Sequence, residues 1–216
     1  MSHRSCCQFG LPRSGLYAVG DWYVNGMGGG WQRHYGGGLD DVRPANNGVS
    51  CFLTVEALVQ ERLQRALDSC RSFGATSWIQ LRDPYNWLAS LQCGLAKGTV
   101  IWRISDPLIP WKEYAKRCDG GENWLNYNRW FRQTEYRRSL ARDFGFVVDR
   151  DGDAWRGIPS WAGGSSFDGL RCDGRAQEMA VTERYLAFAG DPAWRNRFDD
   201  ETIALAERLF GLSRPW

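Results

Sequence analysis

Three carboxylates stand at alternate positions in Asp149-Arg150-Asp151-Gly152-Asp153. At the start of a calcium loop the first oxygens converge on the ion from positions 1, 3 and 5. Asp149, Asp151 and Asp153 are therefore a candidate calcium site, and calcium is the one cofactor the sequence suggests. Counting on from Asp149 weakens the match. The sixth position is Ala154, where the sharp turn needs glycine, and the twelfth is Ser160, where a bidentate glutamate belongs. Asp151-Gly152 between two extended runs is also a hairpin signal, so a turn with solvated carboxylates is the plainer reading.

A second cluster surrounds His34. Residues 26–38 hold seven glycines in thirteen positions, with Arg33 and His34 among them and Asp40 and Asp41 just beyond. Glycine lets a backbone approach phosphate oxygens closely, and a guanidinium can clamp them. His34, one of only two histidines, could serve as a general base and an aspartate could orient it. The spacing of this segment fits neither GxxxxGK[ST] nor GxGxxG leading into a helix. A packed or flexible arm is the commoner use of such a stretch.

The third cluster lies at 122–144. Trp124, Tyr127, Trp130, Phe131 and Tyr136 interleave with Arg129, Arg132, Arg137, Arg138 and Arg142. Aromatic rings and guanidinium groups together can stack on bases and neutralise phosphates. The same residues can equally make an amphipathic helix, its aromatics inward and its arginines solvated or paired with Glu122, Glu135 and Asp143. No HExxH or GxSxG motif occurs. The seven cysteines include no CxxC pair, so neither a zinc ribbon nor a thioredoxin motif is written; free or buried thiols are expected.

The elements that must hold these groups are marked by periodicity and caps. Apolar residues from Val55 to Phe73 recur every three or four positions, which predicts a helix over 54–73, capped by Thr54 and stopped by Gly74. Residues 15–24 have strand character, and 77–81 and 99–105 read as short strands. Asp83-Pro84 reads as the N-cap and first residue of a helix ending at Gly98. A short helix is expected over 111–118 and a long one over 122–144 with Gly145 as its stop. Two more are expected over 175–189 and from Asp199 or Asp200 to Phe210. The prediction is an α+β protein: one predominantly helical domain over 51–216 with a few short strands, preceded by an extended Gly/aromatic arm over 1–50.

Composition bounds the function classes. Among 216 residues the net charge is only +2, too mild for a dedicated nucleic-acid binder. Arginine supplies nearly all the positive charge, and twelve tryptophans are spread along the chain. Aromatic residues and arginine are the types enriched in interface cores. No apolar run is long enough to span a membrane, and residues 1–13 have no signal-peptide core, so a soluble protein is expected.

Together these features predict a non-enzymatic structural or assembly subunit of a larger complex. A phage virion component comes first, with a virion or cytoplasmic location, and an accessory subunit of an organellar complex second. Trp31, Tyr35 and Trp216 would be the partner-binding anchors. The alternatives are a phosphoester hydrolase or transferase using the glycine segment with His34 as base, and a nucleic-acid binder using 122–144.

Overall fold

The computed structural model describes residues 5–27, 31–36, 51–56, 60–72, 74–100, 104–146, 157–158 and 164–216. The chain runs β1 (Ser5–Gly10), α1 (Leu16–Gly26), β2 (Trp31–Gly36), β3 (Cys51–Glu56), α2 (Gln60–Ser72), β4 (Thr76–Leu81) and α3 (Pro84–Ala96). It continues with α4 (Leu108–Asp119), β5 (Trp124–Asn126), α5 (Tyr127–Arg132) and α6 (Thr134–Phe144). Two 3-10 turns, Ala176–Glu178 and Arg184–Ala187, lead to α7 (Pro192–Arg195) and α8 (Asp200–Phe210). This is the expected helix-dominated α+β domain with short strands. The strands form one sheet in the order β2-β3-β1-β4-β5, and every pairing is parallel.

Alternation along the strands separates two cores. Cys7 and Phe9 of β1, with Ile79 and Leu81 of β4, join Leu63, Leu67 and Cys70 of α2 and Trp111 and Tyr114 of α4 in one cluster. Cys6 and Trp78 join Val19, Trp22 and Tyr23 of α1, and Tyr127, Trp130 and Ala141, in the other. Trp22 meets Trp130 edge-on at 5.9 Å and Phe146 at 5.0 Å, and Trp78 stacks on Phe144 at 4.5 Å.

Several expectations are corrected here. Residues 5–26 are not an extended arm: β1 is the middle strand of the sheet, and α1 buries Leu16, Val19, Trp22 and Tyr23. The stretch read as a strand over 15–24 is this helix, whose buried residues follow helical spacing. The helix expected over 54–73 is a strand followed by a helix, because Val55 belongs to β3 and α2 begins at Gln60. The helix expected over 122–144 is broken. Gln133 is extended, at φ −115° and ψ 107°, and Arg137 turns back to donate to the carbonyls of Trp130 (2.6 Å) and Phe131 (2.9 Å). The helix expected over 175–189 is reduced to the two 3-10 turns. In the strand expected at 99–105, Thr99, Val100, Ile104 and Ser105 are not in a strand and 101–103 lie outside the described residues, as does the Asp151-Gly152 turn.

Caps fall where their chemistry puts them. The Asp83 carboxylate accepts from the Asn86 amide at 2.9 Å with Pro84 at the first helical position. Asp199 accepts from the Thr202 amide at 2.8 Å to open α8. Gly74, Gly145 and Gly211, all at positive φ, close α2, α6 and α8. Cys70, Cys93, Cys118 and Cys172 are free thiols.

Candidate oxyanion site

The sheet order brings the ends of β1 and β4 side by side, since Gly10 pairs with Gln80. The chain leaves β1 through α1 toward β2 on one side, and later returns through α2 to β4 on the other. In parallel sheets a crevice opens at such a reversal, beyond the carboxyl ends of the strands, and ligands bind there. A cavity of about 320 Å³ lies at this place. Its walls come from residues 12–18 without Ser14, from Arg82, from Thr99 and Val100, from Tyr127, and from segments near 157–184 including Ser165, Ser166, Met179, Val181 and Arg184.

The turn from β1 into α1, Leu11-Pro12-Arg13-Ser14-Gly15, is held from beneath by buried side chains. Trp87 Nε1 donates to the Pro12 carbonyl at 2.8 Å and Gln80 Nε2 to the Ser14 carbonyl at 2.7 Å. Arg82 Nη1 reaches the Arg13 carbonyl at 3.4 Å. Across a planar trans peptide the C=O and the next N–H point in opposite directions. Fastening the Ser14 carbonyl inward therefore turns the next N–H, that of Gly15, the other way, while the Ser14 N–H closes the turn on the Leu11 carbonyl at 3.1 Å. The first turn of α1 adds N–H groups that have no acceptor inside the helix, and the helix dipole adds partial positive charge. Arg13 and Gly15 both take positive φ, 66° and 90°, as the close clustering of amides in an anion nest requires. Arg13 is the one non-glycine in that region among the described residues. Its side chain is tethered, donating to Thr99 Oγ1 at 2.7 Å and to the Thr99 carbonyl at 3.1 Å.

Two buried guanidinium groups stand beside the turn. Arg82, directly after β4, is 2% exposed, and Arg184 is 8% exposed. Both donate to one hydroxyl, Ser90 Oγ, at 2.9 and 3.1 Å, and Ser90 in turn donates to the Asn86 carbonyl at 2.8 Å. Arg82 also donates to the Val181 carbonyl, and the Trp111 indole holds Arg82's own carbonyl at 2.8 Å. Arg184 donates to Ser165 Oγ at 2.6 Å and pairs with Asp168 at 3.3 Å. Burial lowers the pKa of Arg82 to about 10, and repulsion from Arg184 adds to this. Burial also lowers Arg184. Both remain charged at neutral pH. The Nε of each guanidinium is buried without a hydrogen-bond partner among the described residues.

The electrostatic balance is lopsided. Two like charges share one neutral hydroxyl, and one carboxylate, that of Asp168, pairs with Arg184. Asp83 lies close to Arg82, but its oxygens accept from Asn86 and from Asn128 Nδ2, the latter at 2.8 Å. Among the described residues no aspartate or glutamate lines the cavity. A buried charge without a full partner is costly, and an anion placed here removes that cost. Apolar side chains also line the cavity: Leu16, Val100, Ile158, Ala176, Met179 and Val181.

The residues singled out from the sequence lie elsewhere. Asp149, Asp151 and Asp153 fall outside the described residues, as do Asp40 and Asp41. Trp31, Arg33, His34 and Tyr35 are on β2, the edge strand; His34 pairs with Thr54, which pairs with Gln8, so β3 separates His34 from β1. Trp216 packs edge-on against Tyr85 at 5.3 Å and Trp194 at 5.5 Å, within the chain's own aromatic cluster. Tyr127, Trp130 and Phe131, offered for stacking on bases, are buried.

Sequence reading missed Gly10, Arg13, Gly15, Arg82, Ser90 and Arg184. One signal was present. Gly10 and Gly15 bracket four residues between a strand and a helix, which is the first part of GxxxxGK[ST], but Leu16 and Tyr17 stand where lysine and Ser/Thr would be. No protein-family model matches this chain, and no curated protein or solved structure matches it.

Proposed function

We propose that the cavity binds the oxyanion end of a phosphate- or sulfate-bearing organic molecule and that the protein is a transferase for that oxyanion group. The observation that carries this reading is the pair of buried guanidinium groups sharing Ser90 beside the amide-lined turn. Transfer of such a group asks little covalent chemistry of the protein. It asks for position and for stabilisation of charge spread over the equatorial oxygens.

Here that charge meets arginine. In the magnesium-dependent nucleotide loop a lysine reaches the phosphates and a Ser/Thr hydroxyl and an aspartate hold the metal. Leu16 and Tyr17 replace the first two, and no carboxylate stands among the described residues of the cavity wall. A sulfuryl group carries one negative charge fewer than a phosphoryl group, and suits a site whose cations are guanidinium groups. Sulfuryl transfer from a phosphate-linked donor is the favoured form. The nest takes one anionic group, Arg82 and Arg184 take a second, and the apolar wall takes the organic part.

The proposal keeps the transferase class expected as an alternative from the sequence and moves its site from residues 26–38 to Gly10–Gly15. The assembly-subunit reading leaned on tryptophan anchors. Six tryptophans, Trp22, Trp78, Trp87, Trp111, Trp130 and Trp194, are core residues, and Trp87 and Trp111 use their indole N–H groups to fasten the site's backbone.

The experiment is thermal unfolding in pyrophosphate against sodium chloride at equal ionic strength. A ligand at a hundred times its Kd stabilises by about 2.7 kcal/mol. For a chain of this length that raises Tm by roughly 5–10 °C. Equal Tm values in pyrophosphate and in chloride would refute the reading.

A further inference from the structure

We infer that the hydroxyl of Tyr127 donates a hydrogen bond to the bound oxyanion at the first turn of α1, which makes Tyr127 a ligand-contacting residue of the site. The inference rests on the oxyanion reading above.

Tyr127 opens α5, and the start of that helix is fixed. The Asn126 side chain accepts from the Arg129 amide at 3.0 Å and donates to the Leu209 carbonyl at 3.2 Å. The ring is held on several sides. Trp130 stacks on it with centroids 5.6 Å apart, Phe131 lies 6.2 Å away, and the Arg82 guanidinium sits 5.5 Å from the ring centre. Gly15 closes another side: a Cβ there would lie 2.5 Å from Cζ, the carbon that bears the hydroxyl. The phenol tip is therefore beside the residue that begins α1, where the cavity's N–H groups gather. Packing on these sides holds the ring in place.

A buried tyrosine hydroxyl ordinarily finds a partner. Tyr127 is 4% exposed and lines the cavity, yet its hydroxyl makes no hydrogen bond among the described residues. Of the cavity's other hydroxyls, those of Thr99, Ser165 and Ser166 are committed or closed off. Thr99 Oγ1 donates to the Gly94 carbonyl, and Ser165 Oγ binds Asp168 and Arg184. Ser166 Oγ is sealed from solvent. Burial raises the phenol's pKa, more than Arg82 and Arg184 lower it, so the group carries its proton at neutral pH and acts as a donor. Guanidinium groups, amides and one phenol then surround the oxyanion with donors only, the arrangement that favours a fully deprotonated oxyanion over its protonated form.

Tyr127→Phe keeps the ring, its stacking and its contact with Gly15, and removes only the hydroxyl. Calorimetric titration with pyrophosphate is expected to show roughly 10- to 100-fold weaker binding, the range for a hydrogen bond to a charged group. The Tm of the unliganded variant is expected to stay close to that of the wild type. Tyr136→Phe, whose hydroxyl accepts from the Asn126 amide at 3.1 Å and does not line the cavity, is expected to keep its affinity. In protein labelled with carbon-13 at tyrosine Cζ, one resonance should move on adding pyrophosphate, and that resonance should be missing from Tyr127→Phe. Equal affinity in wild type and Tyr127→Phe overturns the inference. So does weaker binding accompanied by lower unliganded stability and an unmoved Cζ resonance, which assigns the residue to packing. If the wild type itself takes up no pyrophosphate, the oxyanion reading fails first, a result distinct from either.

Discussion

Arg184→Met will bind pyrophosphate roughly 30- to several-thousand-fold more weakly than wild type, and its unliganded Tm will change little. The first part follows from removing a desolvated charge that faces the ligand, a loss of about 2–5 kcal/mol in buried charge pairs. The second part follows from the balance around the side chain. Arg184 gives up its bonds to Ser90 Oγ and Ser165 Oγ and its pairing with Asp168. Its removal also ends the repulsion that Arg82 feels and the cost of burying a second guanidinium. Removing one partner of a buried pair is costly where the other charge is left uncompensated, but Asp168 is 23% exposed and keeps Ser165 Oγ and Arg171 as partners. A calorimetric titration paired with a melting curve reads both quantities. Lost affinity with stability retained marks a binding device. A large fall in Tm with affinity preserved would make Arg184 a structural residue and remove half of the proposed site.

Gly15→Ala will lower Tm by on the order of 10 °C and abolish oxyanion binding. The residue sits at φ 90°, a conformation an alanine adopts only under strain of about 1–3 kcal/mol. The new methyl also overlaps the Tyr127 ring, and overpacking costs about 1–3 kcal/mol more. Tyr127 has little room to retreat, with Trp130 stacked on it and Arg82 against it. Relief must come from the turn itself, which swings the Gly15 amide out of the nest. Gly190→Ala is the control: Gly190 is exposed, its φ is not positive, and a Cβ there meets nothing within 4 Å. That change should leave Tm and binding as they were. Equal, small effects at both glycines would mean that the turn is looser than described.

How much of this was written in the sequence differs by element. Where one local group decides, the residues announce it. Asp83-Pro84 opens α3, Asp199 opens α8, and Gly74, Gly145 and Gly211 end their helices. Where tertiary pairing decides, local pattern misleads. Val55 fits the helical stripe of α2, yet β1 captures it as a strand residue, because the sheet satisfies its backbone on both edges. The Cys-Cys-Gln-Phe-Gly run of β1 has no β-branched residue to mark it as a strand. The break at Gln133 is set by Arg137 capping α5 through space, which no propensity at Gln133 declares.

The site was less legible than the fold. Its glycine pair precedes the glycine-dense 26–38 segment, and its expected lysine is replaced by Leu16. The positive charge that compensates comes instead from Arg82 and Arg184, which lie far apart in sequence and meet only at Ser90. Buried arginines cannot be told from solvated ones by composition, so a net charge of +2 hid a strongly cationic cavity. The abundance of tryptophan misled in the same way. Trp87 and Trp111 look like interface anchors by type, and the packing uses them as struts beneath the anion turn.

The most direct test follows backbone amides and arginine Nε–H groups by nitrogen-15 resonance while pyrophosphate is added to the wild-type chain. The account predicts that the largest changes fall on the amides of Gly15 and Leu16 and on the Nε–H groups of Arg82 and Arg184, all saturating with one Kd. Saturable changes confined to Arg195, Arg214 and Trp216, which line a separate cavity near α7, with the Gly15 amide unmoved, would contradict it.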